Sequence, residues 1–99
     1  MTRRKVWRSP VVLTQHVFDK VRSIDMTLAE FRALLDNGEI IEERSLAAGS
    51  LHELILIIDW RRPLHVVVVV DDNVGEERIL TVYEPEPVLW SPDFRRRKP

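Results

Sequence analysis

The chain has 99 residues, 44% hydrophobic and 31% charged, with a net charge of −1, a balance that suits one globular domain over residues 1–99 and excludes disordered or collagen-like classes. It contains no cysteine, so disulfides, thiolate zinc sites and thiol nucleophiles are ruled out. No apolar run approaches the ~20 residues of a membrane helix and no signal-peptide pattern opens the chain, so a cytoplasmic protein without a membrane partner is expected.

The charge is unevenly placed. Arg3, Arg4, Lys5 and Arg8 open the chain and Arg95, Arg96, Arg97 and Lys98 close it, while all 16 acidic residues lie between Asp19 and Asp93. Two basic tails, at about residues 1–8 and 95–99, therefore flank an acidic body, a pattern that suggests a polyanion partner whose phosphates the tails touch.

Leu13, Val17, Val21 and Ile24 fall on one helical stripe, with Ser9 and Pro10 as its start. Thr27 followed by Glu30 reads as a capping box, and Leu28, Phe31, Leu34 and Leu35 carry a second helix until Asn37-Gly38 stops it. Four strands follow, at about Ile40–Arg44, Leu51–Trp60, Leu64–Val70 and Arg78–Tyr83, separated by turn-prone "AAGS", "WRRP" and "DDNVGE". The pattern predicts an α+β fold: two N-terminal helices packed on a four-stranded antiparallel sheet.

Val66 to Val70 is apolar on both faces, so a second layer must cover the side the helices leave open. Either the C-terminal Val88, Leu89, Trp90 and Phe94 fold across it, or a second copy does, and a homodimer is expected on that ground.

Phosphate loops, nucleophile elbows and paired-histidine zinc motifs are all missing, so neither a cofactor nor a metal is expected. His16 borders the apolar stripe of the first helix with Lys20 one turn on along the same edge. An imidazole that exchanges a proton near neutrality beside a cation for phosphate suits metal-independent cleavage of RNA. His52 opens a strand, and His65 alternates with Val67 and Val69 as a sheet residue.

The helix carrying His16, the stretch "LDNGEIIEE", the strand "RPLHVVVVVD" and above all "TVYEPEPVLW" followed by "FRRRK" resemble the bacterial and archaeal domain of unknown function 4258 family over about Leu13 to Lys98. That family is held to be distantly related to the RelE and BrnT ribonuclease toxins, and the resemblance implies their RelE-like, barnase-like fold. It marks His16, Thr81, Tyr83, Glu84, Trp90 and Arg95 or Arg96 as matching positions. Where relatives carry a basic residue and a glycine between the helices, this chain has Ser23, Ile24 and Asp25.

Thr81 and Tyr83 are two apart and share one face of the last strand. The expected site joins His16 and Tyr83 as catalytic residues with Lys20, Thr81, Arg95 and Arg96 as RNA or phosphate contacts. Two functions follow: a metal-independent, toxin-type endoribonuclease held inactive by an antitoxin, or a non-catalytic protein- or nucleic-acid-binding module of the same fold.

Overall fold

The computed structural model describes residues 2–46 and 49–99. In chain order the elements are β1 (Arg3–Arg4), β2 (Val11–Leu13), α1 (Gln15–Ser23), α2 (Leu28–Leu35), β3 (Glu39–Ser45), β4 (Ser50–Ile57), β5 (Leu64–Asp71) and β6 (Glu76–Tyr83). They form a single six-stranded sheet in the order β1-β3-β4-β5-β6-β2. This corrects the expected four-stranded antiparallel sheet. The meander β3 to β6 is antiparallel, but β2 adds to β6 in parallel and β1 adds to β3, so the sheet is mixed.

Both missed strands come from the segment read as a basic tail and a helix start. Leu13 belongs to β2, and α1 begins later, where the Thr14 side chain accepts the Val17 N–H as N-cap. Val11–Leu13 is too short to show alternation, and Arg3–Arg4 carries no apolar residue. Only pairing with residues far along the chain makes them strands. The second helix keeps its Thr27–Glu30 capping box. Gly38 matters for proximity rather than for turning: a Cβ there would meet the Ile55 side chain at 2.6 Å. The turn-prone "AAGS" includes Ala47 and Ala48, which lie outside the described residues.

The segment between β1 and β2 straps the sheet from one edge to the other. Five strand spacings of about 4.8 Å make roughly 24 Å, the reach of the steps from Arg4 to Val11 at about 3.4 Å each, so the crossing is nearly taut. It is pinned along its length: the Lys5 N–H donates to Gly38 O (2.8 Å), Trp7 Nε1 donates to Leu35 O (2.9 Å), and the Lys5 ammonium is buried between Glu53 and Glu77. Lys5 Nζ lies 2.7 Å from Glu53 Oε1, an ionic contact off the hydrogen-bonding direction, and donates to Glu77 Oε1. Glu77 Oε2 accepts the Arg8 and Ser9 N–H groups (3.0 and 3.1 Å).

The five valines alternate between the two faces of the sheet, as their double-sided pattern requires. Val66 and Val68 join Val17, Val21, Phe31 and Ile55 beneath the helices. On the opposite face Val67 and Tyr83 pack against Leu54, Leu56 and Trp90. The chain's own C-terminus supplies that second cover: Trp90 is 3% exposed and Phe94 packs beside it, whereas Val88 and Leu89 point to solvent.

Candidate functional site

His65 holds the C-terminal segment on the sheet. Its Nε2 lies 3.0 Å from Phe94 O and its Nδ1 3.3 Å from the Tyr83 hydroxyl. A carbonyl only accepts, so Nε2 carries the proton and Nδ1 accepts from Tyr83. The imidazole also meets Trp90 edge-on with ring centroids 4.4 Å apart. Burial is the main cause that pushes His65 below the usual histidine range, opposed by the Phe94 hydrogen bond. Burial likewise raises Tyr83 above the usual phenol range. Phe94, whose carbonyl accepts the His65 N–H, sits at φ 60, a left-handed conformation that costs a bulky residue about 1–3 kcal/mol and is held by its packing.

His16 is exposed at the start of α1 and its Nε2 lies 2.9 Å from Thr81 Oγ1. The contact is possible because β2 ends opposite Ile79, which leaves β6 at the sheet edge from Leu80 onward. A register shift between Val67 and Val68 marks a bulge at the same place. His16 and Thr81, expected together, are thus in contact, with Lys20 one turn further along α1.

Tyr83 stands apart from α1. It packs with Leu54, Leu56 and Trp90 on the face away from the helices. Arg95 is further off, with a two-point ion pair to Glu39 (2.6 and 3.2 Å) on β3. Glu39, Leu56, His65 and Tyr83 form one cross-strand row, so three strand spacings, about 14 Å, separate Glu39 from Tyr83. Arg96 contributes backbone bonds to Ser91 and is exposed. Glu84 pairs with Arg62 at 2.6 Å.

Four of the eight basic residues at the ends pair with the acidic body. Arg3 pairs with Glu43, Lys5 with Glu53 and Glu77, Arg95 with Glu39 and Arg97 with Glu42. The ion pairs tie the ends to the sheet instead of leaving them as free tails.

The face carrying Trp90 is covered over only part of its length. Beyond the Trp90 cluster a second cross-strand row, Arg44, His52, Val69 and Arg78, lies on the same face, since His52 alternates with Leu54 and Leu56. A cleft of about 460 Å³ opens there, lined by Arg44, His52, Leu54, Val67, Tyr83 and Arg97 together with three carboxylates, Glu42, Glu43 and Glu53, which pair with Arg97, Arg3 and Lys5. Leu54 and Val67 give it an aliphatic floor, and its rim mixes arginine, glutamate and aromatic groups. The Arg97 guanidinium lies 4.7 Å from the Trp90 ring centroid, while Arg78 pairs with Glu76 along its own strand. Sequence reading missed Arg44, His52, Arg78 and Arg97 as a group. The signal available was the even spacing His52, Leu54, Leu56, but which arginines stand beside it depends on strand register.

Residues 13–84 match the family described as Domain of unknown function (DUF4258). The chain belongs to this family. The DUF4258 region runs from the end of β2 through β6, so it contains His16, Lys20, Thr81, Tyr83 and the whole Arg44–His52–Val69–Arg78 row. β1, most of β2 and the C-terminal cover with Trp90 and Arg95 to Arg97 lie outside the matched span. Comparison with curated proteins and with solved structures returns no match. Among the described residues of this DUF4258 protein no three His, Asp or Glu are grouped to hold a metal ion, and no helix is long and apolar enough to cross a membrane.

Proposed function

We propose that this DUF4258 protein is a nucleic-acid-binding module that takes single-stranded RNA on the uncovered half of its sheet. The observation that carries the reading is the row Arg44, His52, Val69 and Arg78 beside Tyr83 and Arg97, on a half-face that the C-terminal cover leaves open. Unstacked bases bind flat, partly apolar surfaces with aromatic edges, and guanidinium groups at the rim take the phosphates. Arg44 is exposed and enters no ion pair among the described residues, so its charge is available to such a ligand.

Fluorescence anisotropy of a labelled single-stranded RNA across a salt series tests the reading. Arg44→Glu and Arg78→Glu weaken binding and flatten its salt dependence by about 0.7 in log–log slope for each phosphate no longer held. Binding that is indifferent to both substitutions refutes it. Light scattering in the same buffers reports whether a homodimer forms through this half-face, in which case RNA and the second copy compete for it.

The toxin-type endoribonuclease reading is kept by one observation, the accessible His16 imidazole 2.9 Å from the Thr81 hydroxyl, with Lys20 nearby for phosphate. Together with the distant relation to RelE and BrnT toxins held for the family, it describes a cytoplasmic, metal-independent enzyme restrained by an antitoxin. Cleavage of total RNA that survives EDTA, leaves cyclic or 3′-phosphate ends and drops about 100- to 10,000-fold in His16→Ala establishes catalysis. Intact RNA under the same conditions leaves the binding module alone.

A further inference from the structure

The β4–β5 turn carries two arginines that neither reading uses. Trp60 is partly buried against the helix-side core, which fixes its ring. Arg61 and Arg62 lie over that ring, their guanidinium carbons 4.7 and 5.1 Å from its centroid. Each makes one further contact with the fold: Arg61 donates to Ile24 O at the C-cap of α1 (3.3 Å), and Arg62 Nε donates to Glu84 Oε1 (2.6 Å). A guanidinium has five N–H donors. Both side chains are therefore held by ring and fold with donors left over, on residues that are themselves exposed.

Lys20 stands one helical turn before Ile24, whose carbonyl Arg61 binds, so α1 carries a further cation on the turn before that contact. Among the described residues neither Lys20 nor Arg61 enters an ion pair. The carboxylates at this end are Asp25, Asp59 and Glu84, and of these Glu84 is the one paired, with Arg62.

We propose that the Trp60–Arg61–Arg62 turn with Lys20 is a second phosphate-contact site for the strand bound on the open half-face. Planar guanidinium groups fixed on an aromatic plate match the paired oxygens of a phosphodiester. Glu84 competes for Arg62 and sets how much of that charge is free. The site depends on the reading of the open half-face as a nucleic-acid surface, which lies at the other end of β5. Leu64 and Val69 are separated by about 17 Å along that strand, and Trp60 packs on the helix side of the sheet whereas the half-face lies on the other, so an RNA long enough to pass around the end of the sheet reaches both sites and a short one reaches a single site.

Anisotropy with a labelled single-stranded RNA, in a salt series and with melting curves for every variant, tests the proposal. Arg61→Ala with Arg62→Ala lowers the log–log salt slope by about 0.7 to 1.4, one to two phosphates. Arg61→Lys with Arg62→Lys keeps the slope, and Glu84→Gln tightens binding at low salt. A wild-type slope in the double alanine variant, while Arg44→Glu still weakens binding, overturns this site and leaves the half-face standing. No binding by the wild-type protein overturns both. Equal displacement by polyglutamate and by unlabelled RNA overturns the phosphate assignment in favour of an acidic peptide.

Discussion

Replacing Lys5 by methionine removes a charge and leaves most of the side chain's bulk in place. The Lys5 side chain is 3% exposed, and its two partners Glu53 and Glu77 are 6% and 3% exposed. The substitution therefore strands two carboxylates beneath the N-terminal strap, one of which still accepts the Arg8 and Ser9 N–H groups. Breaking a buried ion pair from one side costs about 3–5 kcal/mol, because the remaining charge stays desolvated. A domain of this size holds about 5–15 kcal/mol in total, so roughly a fifth or more of its stability goes. At about 4–8 °C per kcal/mol, the melting point falls by at least ~12 °C. Urea denaturation and thermal melting by circular dichroism measure the loss. A second variant with Lys5→Met, Glu53→Gln and Glu77→Gln removes the stranded charges, while the new amide oxygen on β6 can still accept the strap's N–H groups. It recovers most of the loss, and the difference gives the coupling within the cluster. A Lys5→Met protein within about 1 kcal/mol of wild type, near the scale of an exposed ion pair, refutes the view that this cluster fastens the strap.

Trp90→Ala empties the centre of the C-terminal cover and costs about 3–5 kcal/mol, with loss of the near-ultraviolet signal expected from a fixed indole; a shift below ~1 kcal/mol shows that the cover contributes little. His65 is held below its ordinary value of 6.5 mainly by burial, so it contributes stability that is present above pH 6.5 and is lost as pH falls through the folded value; melting at pH 7.5 and at pH 5 shows the drop, and His65→Gln flattens it. Thr27→Ala removes the hydroxyl that caps α2 and costs about 1 kcal/mol in urea titration, while an unchanged midpoint shows that this helix end is satisfied by water.

Local periodicity determined α2, its capping box and the apolar character of the four central strands, because each depends on residues a few positions apart. The five valines also required a second layer, and the position of Trp90 and Phe94 named a candidate for it. β1 and β2 were invisible in the sequence. Two arginines and three aliphatic residues become strands only when β3 and β6 lie beside them, and the taut crossing between them depends on the width of the finished sheet. Pairing likewise decided the fate of the terminal arginines: charge counting suggests phosphate ligands, whereas the fold sets Glu39, Glu42 and Glu43 against Arg95, Arg97 and Arg3. His16 and Thr81 are 65 residues apart, and they meet because β2 stops short of the end of β6. The open row Arg44, His52, Val69 and Arg78 follows from register alone, since a one-residue slip in any of the three pairings turns a side chain to the other face; sequence supplies the residue types, and only the paired sheet decides which of them stand together.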